Sequence, residues 1–236
     1  MAFKNTATNG VKMHTGDPHC DAAHATLLQG LKALGTNFIG PTETISNSQK
    51  GNLGEFITFQ IARGVFGPHK KYAGNALAPL SRISGAGLDL TYVYLDPTSA
   101  LNDLIFIQEI KTTGAGNLSY LDQLVPDYKK LFSTDLNLTL QSRLQFLQNK
   151  LEYEEGDPAA ALRVANLGAT TPQACSRVKL VPTGISSMNV GAPESKMLSV
   201  KASISAFGWS STNIEPWHIA LSDLEDRLLR LARGQS

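Results

Sequence analysis

Cysteine occurs only twice, at Cys20 and Cys175, so no disulfide framework is expected and both are read as free thiols. No run of 18 or more apolar residues is present, which argues against a transmembrane helix. The opening stretch MAFKNTATNGVKMHTGD has no apolar core of the kind a secretory signal needs. A cytoplasmic protein without membrane association is therefore expected. Excess charge is missing too. The formal net charge is +1, whereas steady nucleic-acid binders commonly show a strongly basic domain. Charge alone therefore argues for no partner, although a local patch would suffice for one. Internal repeats are absent. The 236 residues, 42% hydrophobic and 17% charged, suit one globular domain, with or without an appended lobe.

What is present reads as alternating helices and strands. Residues 1–47 are expected to form a polar, partly irregular segment followed by a helix over 24–35, and 48–236 a single domain. Leu53, Phe56, Ile57 and Ile61 make the apolar stripe of a helix over 48–67. Strands are expected at 87–96 and 104–113, joined by a polar loop as an antiparallel hairpin. Helical stretches follow in YLDQLVPDYKKLF, LTLQSRLQFLQNKLEYE and DPAAALRVANLG. Further strands are read at 177–186 and 196–209, and a last helix in LSDLEDRLLRLARG with Ser222 and Glu225 as a capping box. The sum is an α/β protein with a central mixed β-sheet flanked by helices.

The stretch LIFIQEIKTT (104–113) carries the chemistry. Alternation puts Ile105, Ile107, Glu109 and Lys111 on one face and Leu104, Phe106, Gln108 and Ile110 on the other. Both faces are apolar until the end, so the strand is expected to be central and covered on both sides. Glu109 and Lys111 then lie where burial begins to cost, and ionised groups sit there only with partners. Pairing around the 96–103 loop brings Asp89 opposite or next to Glu109. Two carboxylates so placed repel unless a cation lies between them. Mg2+ takes oxygen ligands, keeps several waters and needs only one or two carboxylates. Lys111 beside it would orient or deprotonate a water, or stabilise charge on a phosphate.

An Asp at a strand start followed by Glu-x-Lys on the next strand resembles the PD-(D/E)XK nuclease superfamily; here the residues are Asp89, Glu109, Ile110 and Lys111. That superfamily often carries a Glu on a preceding helix, matched by Glu55 in KGNLGEFITFQIA. The resemblance covers about residues 48–113 and lacks a Pro before Asp89. It implies a restriction-endonuclease-like core and an Mg2+-dependent (or Mn2+-dependent) endonuclease. Asp89, Glu109, Glu55 and the backbone of Ile110 would serve the metal, and Lys111 the water. Gln123 and Tyr128 are five residues apart rather than four, so the subgroup with a Gln-x-x-x-Tyr helix is not matched. More narrowly, KGNLGE, the Gly-rich lead to Asp89 and Glu-x-Lys look like the nuclease subunit of Hachiman anti-phage defence systems. That likeness implies DNA as substrate and a helicase partner. A restriction-type nuclease, or an idle nucleic-acid-binding or scaffold subunit of the same fold, remains an alternative, and RNA stays open as substrate.

Other readings compete for some of these residues. Asp96 or Asp103 could supply the acid, but both sit at the far end of the hairpin. Glu55 could be an exposed helix acid. His14, His19, Cys20 and His24 suggest zinc, yet no second ligand pair follows, and a polar segment is the plainer reading. Arg63, Lys70, Lys71 and Arg82 form a basic group that could contact phosphates without reading sequence, or simply be a solvated face. Arg143 and Lys150 pose the same choice. Trp209 and Trp217 are expected as core or interface anchors.

Overall fold

The computed structural model describes residues 6–8, 10–15, 25, 42–66, 70–72, 88–113, 117–130, 134–168, 177–188 and 190–235. Seven strands form one sheet: β1 (Thr6–Thr8), β2 (Val11–Thr15), β3 (Lys70–Tyr72), β4 (Leu90–Tyr94), β5 (Leu104–Thr113), β6 (Val178–Ser187) and β7 (Trp217–Leu221). Their spatial order is β1-β2-β7-β6-β5-β4-β3. β4 and β5 pair antiparallel, from Leu90 opposite Gln108 to Tyr94 opposite Leu104. β5 with β6, β6 with β7, and β2 with β7 are parallel. The helices are α1 (Asn47–Phe66), α2 (Leu124–Lys130), α3 (Thr134–Asn149), α4 (Pro158–Gly168), α5 (Pro193–Ser205) and α6 (Leu224–Ala232). None of the described helices is long and apolar enough to cross a membrane. The expected mixed α/β architecture is present.

β5 divides two cores by its own alternation. Ile105 and Ile107 join a cluster with Leu124, Tyr128, Leu144, Val164 and Met197 from α2, α3, α4 and α5. Phe106 and Ile110 join the opposite cluster, with Leu53, Ile57 and Ile61 of α1 and Leu228 of α6. Burial on both faces explains the near-continuous apolar run. Trp209 and Trp217 are both buried, in opposite clusters.

Three expectations are corrected and one strand is added. Residues 193–205 are helix α5, in place of the strand expected over 196–209. Met197, Val200 and Ile204 recur every three or four residues on its buried side, and Pro193 starts its first turn. Residues 11–15 form a strand paired with β7, not an irregular segment. β7 itself, only five residues long, is a strand the sequence pattern does not reveal. Ser222 does not cap α6: Asp223 takes that position in the left-handed region (φ 46°) with no side-chain cap, while Arg227 donates to Ser222 O at 2.9 Å and to its Oγ at 3.1 Å. A reciprocal capping box does open α1, where Ser46 N donates to Gln49 Oε1 (2.9 Å) and Gln49 N to Ser46 Oγ (3.2 Å). The helix expected over 24–35 falls, but for residue 25, outside the described residues.

Candidate metal-dependent active site

The β4–β5 ladder stops at Leu90 and Gln108. In that register the next position sets Asp89 directly across from Glu109. Asp89 also takes over the lost ladder bond: Ile110 N donates to Asp89 Oδ2 at 2.7 Å, and Asp89 N donates to Glu109 Oε1 at 3.4 Å. Because a strand residue's N–H and C=O point to the same neighbour, the carbonyl of Ile110 looks past the end of β4 toward the same place. Arg143 of α3 clamps the approach from outside. Its guanidinium donates to Asp89 O at 3.2 Å and also to Leu88 O.

Glu55 comes from the other face of the sheet. A Cβ on Gly54 would run into Thr112 Oγ1, so this glycine lets α1 lie directly on β5 beside the motif. Glu55, the next residue, is within electrostatic reach of Asp89, Arg143 and Lys111.

The two motif residues on β5 are fixed by two successive residues of α2. Lys111 Nζ lies 2.6 Å from Asp127 Oδ2, and Lys130 Nζ reaches Asp127 Oδ1 at 2.9 Å. Tyr128, fully buried, accepts from Glu109 N at 3.1 Å and donates to Ile107 O at 3.1 Å. Gly184 lies opposite Lys111 on β6, and a Cβ there would come within 2.9 Å of Leu121. Its bareness lets the turn leading into α2 settle on the sheet.

Burial dominates the electrostatics of the acids, with the charge of Asp89 next for Glu109 and Glu55. Glu109 is only 4% exposed. Burial, then the charges of Asp89 and Asp127, raise its pKa well above the carboxylate range. Burial raises Asp89 as well, against the opposing Ile110 amide and Lys111. Burial and Asp89 push Glu55 up to about 8. For Lys111, burial pulls downward but the Asp127 ion pair, with Asp89 and Glu109 beyond it, outweighs it and the pKa rises. Lys111 is therefore a cation at neutral pH. Burial likewise pushes Asp127 up, but Lys111 and Lys130 hold it below its ordinary value.

Asp89 thus raises the pKa of both Glu109 and Glu55 beyond what the neighbouring cations offset, a condition that a divalent ion relieves. Among the described residues no three His, Cys, Asp or Glu side chains form a group able to hold a metal ion. Asp89 and Glu109 are the two carboxylates that would face a divalent ion, within the one or two that Mg2+ needs when water completes its shell.

The remaining candidates fall elsewhere. Asp96 and Asp103 lie at the other end of the hairpin. Arg163 of α4 binds both Asp103 oxygens and Asp96 O, the last at 2.7 Å, so these acids pin the loop. Lys71 on the edge strand β3 pairs with Glu155 at 2.7 Å. Lys70 lies in β3 and Arg63 in α1, but their side chains fall outside the described residues, as do Arg82, His19, Cys20, His24 and the side chain of His14. Asp127 and the anchoring role of Arg143 carry no sequence signal, and Tyr128 enters only through its five-residue spacing from Gln123, which does not match the Gln-x-x-x-Tyr pattern. Nothing in LVPDYKKLF has a spacing that marks it, because its partners are set by packing across more than fifteen residues. No protein-family model matches the chain, and no curated protein matches it.

Proposed function

We propose that the chain is a metal-dependent phosphodiesterase of the PD-(D/E)XK kind, acting on DNA. The observation that carries this reading is the placement of Asp89 across from Glu109 on one hairpin, with Lys111 two residues on and Glu55 within reach. Asp89 and Glu109 are the residues that would hold Mg2+, with the Ile110 carbonyl and Glu55 beside them. Bound there, the ion would supply Lewis-acid polarisation of a phosphodiester and a more acidic water. Lys111, kept cationic by Asp127, serves as a donor and positive charge toward the scissile phosphate rather than as a base. Arg143 fixes the backbone of Asp89 and adds a second positive charge nearby. Both cations are half-buried, which weakens the screening of their charges by water.

Cleavage of supercoiled plasmid by the full chain with Mg2+ tests the reading. Loss of cleavage with EDTA, and a fall of roughly 10²–10³-fold in Lys111→Ala, is expected. Equal cleavage by both proteins would remove Lys111 from the mechanism. No cleavage by wild type, with DNA still bound, would favour an idle binding module of the same architecture.

A further inference from the structure

Lys111 is surrounded by acids on two sides. One partner is Asp127, at 2.6 Å; beyond it, Asp89 and Glu109 also act on its charge. A lysine is a flexible point charge on a four-carbon stem. Left without a dedicated partner, it would be drawn onto the Asp89–Glu109 pair and fill the place of a divalent ion there. Asp127 is well built to prevent this. Its second oxygen is held by Lys130 at 2.9 Å, so the carboxylate is oriented from both sides. Its backbone is fixed by the next residue, whose hydroxyl bridges Glu109 N and Ile107 O.

We infer that Asp127 is a positioning residue that holds Lys111 off the Asp89–Glu109 pair and so keeps that pair open to a divalent cation. The inference rests on the metal-dependent reading above and assigns to α2 the task of separating the site's lysine from its acids.

Binding of Mn2+ to the full chain, followed by electron paramagnetic resonance of the free ion, tests this without any cleavage assay. Asp127→Asn is expected to weaken Mn2+ binding by about 10–100-fold, the range seen when a partner that orients metal ligands is lost. Asp127→Glu should retain binding. Lys111→Gln should bind at least as well as wild type, and Asp127→Asn combined with Lys111→Gln should regain that affinity, because the intruding ammonium is gone. Equal weakening with and without Lys111 would make Asp127 a merely structural residue and overturn the inference, as would an Asp127→Asn protein that binds like wild type. A wild-type chain that binds no Mn2+ would instead overturn the metal-dependent reading itself, and this role of Asp127 with it.

Discussion

Asp89 replaces a missing rung of the β4–β5 ladder with its own side chain: its carboxylate takes the Ile110 amide at 2.7 Å while its backbone N–H faces the Glu109 carboxylate at 3.4 Å. One residue thereby ends a strand, brings its own half-buried carboxylate up to the buried Glu109 and leaves a neighbouring carbonyl facing outward. The arrangement costs stability, since burial raises the pKa of both acids and the charge of Asp89 raises that of Glu109 further.

That cost separates stability from activity at Glu109. Replacing it by Gln removes a buried ionisable group while keeping the shape. In EDTA at pH 8, Glu109→Gln should melt higher than wild type; with Mg2+ the wild type should gain in Tm and the variant should not. Differential scanning calorimetry in the two buffers gives both numbers. A variant that melts lower in EDTA would show that Glu109 is stabilised by the fold and is no metal-seeking acid.

Glu55 sets a pH dependence of known sign. Its folded pKa is about 8 against an ordinary value of 4.5, so between those values the folded state holds a proton that the unfolded chain releases. Stability of the metal-free protein should therefore be fully supported below about pH 4.5 as far as this group is concerned, and should fall as pH rises toward 8. Asp89 and Glu109, also raised, push in the same direction. Glu55→Gln should flatten the slope and raise the Tm at pH 8.5, by roughly 2–4 °C for each kcal/mol recovered. Thermal melts from pH 5 to 9 in EDTA measure it, and an unchanged slope in the variant would place the titration elsewhere.

Much of this centre was legible because it is local. Alternation along 104–113 assigns Glu109 and Lys111 to one face, and a short hairpin loop leaves little freedom in where Asp89 falls. Helix α5 reads as a strand because Leu198, Val200, Ala202 and Ile204 alternate with Ser199, Lys201, Ser203 and Ser205, a period of two. The period that folding obeys is the other one in the same residues, Met197, Val200 and Ile204, which are buried together. Asp127, Tyr128 and Arg143 were not legible in principle: each acts on a residue brought close by the packing of α2 and α3 on β5, and a short polar helix advertises no such partner. The Gly54 contact belongs to the same class, since its reason is a side chain on a strand far along the chain.

Tyr128 is expected to be structural through a single hydroxyl. Tyr128→Phe keeps the ring in its cluster but leaves the Glu109 amide and the Ile107 carbonyl without that partner. A buried polar group left unsatisfied costs about 1–3 kcal/mol. The Tm should fall by several degrees, and Mg2+-dependent cleavage should drop with KM for DNA little changed, because the hydroxyl touches the strand and not the substrate. A rise in KM alone would assign Tyr128 to DNA contact.

Gly54 ties the position of Glu55 to the fit of α1 on β5. Any Cβ at 54 collides first with Thr112 Oγ1 and then approaches Ile185 Cδ1 at 3.3 Å. Gly54→Ala would gain helix propensity on an isolated helix, yet here overpacking should dominate and cost about 1–3 kcal/mol. Thr112 Oγ1 is buried with no hydrogen-bond partner among the described residues, so Thr112→Ala removes the obstructing atom without breaking a bond to them. The two changes should therefore be strongly non-additive, the double variant recovering most of the stability lost by Gly54→Ala alone. If α1 is pushed outward in the single variant, Glu55 moves away from Asp89 and the pH slope of stability should weaken together with the Tm. Urea denaturation of the four proteins of this cycle at pH 6 and pH 8.5 separates the two effects; additive losses would mean that α1 does not depend on Gly54 for its contact with the sheet.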